Sequence, residues 1–158
     1  MCYSAQIRHD FRKFERAYGA VIDIKEFVRL YWNRKEGAKA KGSRIRIPKA
    51  MDAAFADPHT DDERTIKALI DEYDRGQVGM LEQEIFKQRK RLADAERTLL
   101  SKTTKAASES RRIATDKVAW AMGKLADLRR TALVDEDARI FPGWYAPVVV
   151  SEHGRRVV

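Results

Sequence analysis

Apolar residues recur along most of this chain at helical rather than strand spacing. Cys2 to Ile7 is short and mixed, a strand leading into a helix near Arg8. Phe11, Phe14, Ala17 and Tyr18 then make a first stripe that Gly19 is placed to end. Asp23 followed by Glu26 has capping-box spacing, and Phe27, Leu30 and Tyr31 form the apolar face of the helix it opens. From Lys35 to Lys49, two glycines and a run of basic residues read as a loop. Pro48 is set to open a short helix through Ala50, Met51 and Ala54.

From Thr60 the helical signal strengthens. Thr60 and Glu63 again have capping-box spacing. Val78, Leu81, Ile85, Gln88, Leu92, Ala95 and Leu99 follow the alternating three-and-four spacing of a coiled-coil seam, broken once by Gln88. Ser101 to Glu109 is rich in Ser and Thr without that period, which predicts a turn. A second stripe follows at Ala107, Arg111, Ala114, Val118, Ala121, Leu125, Leu128 and Ala132. Two helices with a short polar connection fold back antiparallel, so a helical hairpin is expected here, projecting from the rest. The end of the chain changes character. Phe141 to Pro147 is turn-rich, Val148 to Val150 is a β-type run, Glu152-His153-Gly154 suits a hairpin turn, and Val157 would begin the return strand. The chain thus reads as mostly α, with a long antiparallel hairpin and short terminal β-segments of an incomplete sheet. It divides into an N-terminal segment 1–59, a helical-hairpin insertion 60–134 and a β-segment 135–158 of one partial domain.

Charge sharpens this picture. The net charge of +8 is carried by residues 1–50 and 81–134, at +8 and +6, whereas 51–80 holds −5. A basic balance favours polyanionic partners, because neutralising phosphates releases counterions. The single cysteine excludes an internal disulfide and points to a reducing compartment. The first thirty residues hold no signal-peptide-like apolar run, and no stretch approaches a membrane span, so a cytoplasmic location without a membrane partner is expected.

Cys2 is the residue with chemical promise. It stands directly behind Met1, and its side chain is small enough for the methionine to be trimmed. The exposed residue would carry an amine of pKa about 8 beside a thiol of about 8.5. An amine condenses with an aldehyde to an imine, and a neighbouring thiol closes onto it as a thiazolidine. The same terminus can attack an amide with its own amine as base, as in N-terminal-nucleophile hydrolases. An ordinary cysteine that happens to be early is the plain alternative. His9, His59 and His153 show no metal-ligand spacing, and neither a metal nor an organic cofactor is expected. Arg44, Arg46 and Lys49, interleaved with Ile45 and Ile47 and preceded by Tyr31 and Trp32, have the makings of a single-strand phosphate track beside stacking aromatics. A solvated loop with both aromatics in the core accounts for them equally well.

Two stretches together carry a family resemblance. Met1-Cys2-Tyr3-Ser4-Ala5-Gln6 and the run Arg139 to Val150 (RIFPGWYAPVVV) resemble the SOS response-associated peptidase, or abasic-site-processing, family, in members with a long helical insertion between these segments. The resemblance implies an α+β fold and a DNA-damage function. In that family the N-terminal cysteine forms a thiazolidine crosslink with the ring-opened aldehyde of an abasic site in single-stranded DNA, which carries over to Cys2. The family's later motifs, an Asn-Ala-Arg stretch, a glutamate before a tryptophan and a histidine, have no counterpart here. The chain is therefore expected to be an amino-terminal piece that keeps the nucleophile and lacks the downstream catalytic groups. Two alternatives are a peptidase or amidohydrolase using the same cysteine, and a basic coiled-coil adaptor that binds nucleic acid or protein.

Overall fold

A computed structural model of the chain describes residues 5–6, 23–37 and 45–157. The stripe expected from Phe11 to Tyr18 lies outside them, as do Cys2 and Arg44. The described chain is mostly helical, with two small two-stranded antiparallel sheets. It forms two compact units, one made of Met1–Tyr73 with Ala132–Val158 and the other of Asp74–Thr131.

In the first unit, helix α1 spans Ile24–Gly37. Asp23 caps it: its carboxylate accepts from the Lys25 N–H at 2.9 Å, and its carbonyl accepts from the Glu26 N–H at 3.0 Å. Phe27, Tyr31 and Arg34, one turn apart, are the buried stripe. The helix runs past Lys35 into the stretch expected to be loop. There Lys35 lies over the Trp32 ring and pairs with Glu72, which keeps the last turn closed. Helix α2, Lys49–Ala53, starts directly after Pro48. Helix α3, Asp61–Ser101, opens with Thr60 accepting from the Glu63 N–H at 3.2 Å, while the Glu63 carboxylate reaches back to the His59 N–H at 2.6 Å. That second bond falls one residue earlier than in the usual capping box.

These helices meet in a core of Phe27, Tyr31, Ile47, Met51, Phe55, Ile66, Leu69 and Ile70. Phe55 is its centre, edge-on to Tyr31 at 5.6 Å and tilted against Phe27 at 6.1 Å. The first turns of α3 therefore belong to this core, and the compact units part at Tyr73, inside the stretch assigned by sequence to the hairpin.

Strand β1, Ala5–Gln6, pairs antiparallel with β2, Arg139–Ile140, in the register Ala5↔Ile140 and Gln6↔Arg139. Strands β3, Val150–Glu152, and β4, Arg155–Val157, form a hairpin. Its two-residue turn has positive φ at both His153 and Gly154, the combination that matches strand twist. The return strand thus begins at Arg155, two residues earlier than the valines suggest.

In the second unit, α3 continues and helix α4, Lys105–Arg129, returns beside it. Thr104 caps α4 by accepting from the Ala107 N–H at 3.2 Å, so the turn is confined to Lys102–Thr104. Cross-helix bonds from Arg91 to Ser110 and from Arg129 to Glu82 show the antiparallel register. Buried positions along the seam are small or polar: Gln88 and Ala95 on α3, and Ala107, Ala114 and Ala121 one heptad apart on α4. Small side chains at heptad spacing let two helices approach closely. At position 111 the stripe departs from expectation. Arg111 is exposed, and Ser110, bonded to Arg91, faces the seam instead. No described helix is long and apolar enough to cross a membrane.

Candidate nucleic-acid interface

Backbone pairing draws together three segments that sequence marked separately. The β1–β2 pair joins the N-terminal strand to the segment Arg139–Ile140, 133 positions later at its Gln6↔Arg139 end. Directly after β2, Phe141, Pro142, Gly143 and Trp144 form a turn closed by the Trp144 N–H on the Phe141 carbonyl at 3.0 Å. Gly143 has φ of 81°, the left-handed value that follows proline in a type II turn. A side chain there would meet open space but strain the backbone. The turn sets Phe141 and Trp144 edge to face at 5.3 Å, with Phe141 exposed and Trp144 half-buried.

The next residue ties this turn to the basic run. Tyr145 donates its N–H to the Arg46 carbonyl at 2.8 Å, and its ring packs on Phe27 at 6.4 Å. Burial, followed by the nearby Glu26 charge, raises the Tyr145 phenol pKa. Around Arg46 the chain alternates: Ile47 enters the core, while Arg46 is exposed. Arg139 is half-exposed and only loosely paired, its guanidinium 3.8 Å from Glu136. An aromatic pair with one exposed ring, in a turn that follows Arg139 by two residues and precedes the Tyr145 bond to Arg46, offers a surface that can stack a base while holding phosphates.

Lys49 is placed differently from Arg46. It is half-buried at the start of α2, and its charge bears on Asp52. Asp52 accepts both oxygens' worth of bonding from one Arg34 nitrogen, at 2.8 and 2.9 Å. Arg34 also lies 4.1 Å from the centre of the Tyr73 ring. Burial raises the Asp52 carboxyl above its ordinary value even against the pull of Arg34. The Tyr31 hydroxyl feels the Asp52 charge but makes no well-formed hydrogen bond, and burial holds its pKa well above 10.0. Tyr31 is thus a core residue, whereas Trp32 beside it is exposed. Sequence alone gave the two aromatics one shared fate.

Cys2 and Arg44 fall outside the described residues, so of the four residues singled out by sequence only Arg46 and Lys49 have a described position. Phe141, Trp144 and Arg139 were not singled out as contacts. Their signals are the resemblance carried by the Arg139–Val150 run and the Pro142-Gly143 turn, which says that the chain reverses but not which rings it exposes. Among the described residues no three His, Cys, Asp or Glu side chains gather as metal ligands. Compared with family models, curated proteins and solved structures, the chain matches none.

Proposed function

We propose that this chain processes abasic sites in single-stranded DNA, the amine and thiol of Cys2 trapping the ring-opened aldehyde once Met1 is removed. The amine adds to the aldehyde carbon, water leaves as the imine forms, and the thiol adds across the C=N bond. One C–N and one C–S bond form, the aldehyde oxygen departs as water, and no oxidant is needed. The observation that carries this function is the β1–β2 pairing. It joins the strand three residues after Cys2 to the segment that turns at Phe141 and Trp144, where bases flanking a lesion can stack. Arg46 and Arg139 are the phosphate contacts. The two short sheets are, on this basis, parts of the α+β arrangement that the family resemblance implies.

The test is intact-mass measurement before and after incubation with single-stranded DNA carrying one abasic site. The expected result is loss of Met1 and a denaturation-resistant adduct, absent in Cys2→Ala and absent when the abasic aldehyde is first reduced to the alcohol. A trimmed chain that forms no adduct with the unreduced site would sink the proposal.

A further inference from the structure

The hairpin unit, Asp74–Thr131, carries 14 basic and 8 acidic side chains, and its ion pairs are unevenly shared. Four arginines take five of the carboxylates: Arg97 pairs with Asp94, Arg112 with Glu109 and Asp116, Arg129 with Glu82, and Arg130 with Asp127. Glu84 accepts from the Gln88 amide at 2.8 Å. None of the six lysines, by contrast, has a carboxylate at ion-pair distance among the described residues. Lysine charge on this unit is uncompensated.

Four of those lysines lie toward one flank. The Arg91–Ser110 bond at 2.8 Å marks that side of the helix pair. Lys87 is one turn before Arg91 on α3, with Lys90 beside it, and Lys117 and Lys124 follow Ser110 by one and two heptads on α4. Trp120 falls between Lys117 and Lys124 on the same face of α4, with its side chain 59% exposed. The acids on this flank, Glu84, Asp94, Asp116 and Asp127, all have partners within the unit. An open groove of about 480 Å³ lies there too, lined by Lys87, Lys90, Arg91, Thr98, Thr104 and Ser110 among others.

We propose that this flank binds a single strand of nucleic acid, its phosphates tracked by Lys87, Lys90, Lys117 and Lys124 and a base stacked on Trp120. Free ammonium groups suit phosphates as point charges. An exposed indole between two lysines serves an unpaired base better than a duplex, whose bases already stack on each other. With Arg91 opposite Ser110, the four lysines run over about thirteen residues of helix, on the order of 20 Å, enough for the lower end of the ~4–16 nucleotides that such surfaces cover. Binding here needs no chemistry at Cys2 and stands apart from the proposed crosslinking.

The experiment is fluorescence anisotropy of the full chain with labelled oligothymidylate, oligouridylate and a duplex, none of them carrying an abasic site, across a range of salt. Trp120→Ala should weaken single-strand binding at least about five-fold, with Trp120→Phe restoring most of it. Lys117→Gln with Lys124→Gln should flatten the slope of log affinity against log salt by about 1.4, at ~0.7 per neutralised phosphate. Lys87→Gln with Lys90→Gln, on the other helix, gives an independent variant should the first pair lose helix by circular dichroism. Cys2→Ala should bind as the parent does, so loss of crosslinking and loss of binding are read separately. Preference for either single strand over duplex supports the proposal. Affinity and slope unchanged in the Trp120 and both lysine variants, equal duplex binding, or binding of polyglutamate in place of the oligonucleotides would overturn it.

Discussion

The two units bury their seams by opposite means. In the first, large side chains converge: Phe55, Tyr31 and Ile66 are almost wholly enclosed, and two rings pack on Phe55, Tyr31 edge-on and Phe27 tilted. In the second, the seam is mostly alanine, and its one large buried group is Gln88. Large residues remove apolar area from water directly, whereas alanines contribute mainly by letting backbones approach. The hairpin consequently leaves Phe86, Leu100 and Trp120 largely exposed, because two helices have only one shared face to bury them in. Polar burial is incomplete in both. Inside the first unit Arg34 Nη1 pairs with Asp52, but Arg34 Nε and the Tyr31 hydroxyl have no partner among the described residues, and in the second neither has the Gln88 side-chain carbonyl.

The contrast breaks most visibly at the buried ion pair. Arg34→Met should cost about 3–5 kcal/mol, since it leaves Asp52 enclosed and unpaired. Urea unfolding of the parent and variant measures this, and a loss below ~1 kcal/mol would assign the pair the value of an exposed one. The loss should depend on pH. Asp52 already has a raised pKa in the folded chain, so folding binds a proton between the unfolded value, near ~3.9, and the folded one. Stability from this group is therefore greatest at low pH and is lost as pH rises through the folded value. Without Arg34 that value climbs further, so acidification should recover part of the deficit.

Effects in the hairpin are smaller and differ in sign. Ala114→Leu should destabilise by about 1–3 kcal/mol, because the fully buried alanine has no room to grow without parting the helices. Gln88→Leu should do the reverse and stabilise by about 1 kcal/mol, as it removes a buried carbonyl that nothing bonds and gives up only an amide contact to Glu84. Thermal melts read both. A Gln88→Leu variant that melts lower would mean that the amide holds the helix register, the use a lone polar seam residue has in coiled coils.

Much of the helical layout was legible because it depends on neighbours in sequence. The caps at Asp23 and Thr60 and the seam from Val78 to Leu99 follow from residues three or four apart, and that is the reach of a helical turn. The turn before α4 was placed too broadly, since Thr104 as cap is one Ser or Thr among several in that stretch. The candidate interface was less legible. Arg46 was singled out, but Phe141, Trp144 and Arg139 owe their setting to a strand pair that links residues 133 positions apart. Tyr31 and Trp32 are neighbours in sequence, yet only one faces Phe55.

Sequence by itself determined where α1, α2 and α3 start, which residues line most of the hairpin seam, where the chain reverses at Gly143 and Gly154, and that residues 1–50 and 81–134 are basic. Those are properties of local geometry and composition. Tertiary structure alone decided that the first turns of α3 join the Phe55 core, that Asp52 meets Arg34, that Arg129 reaches across the hairpin to Glu82, and that β1 pairs with β2. Each of these is a contact between residues far apart in the chain, and its free energy depends on what surrounds both partners at once, which no local pattern encodes.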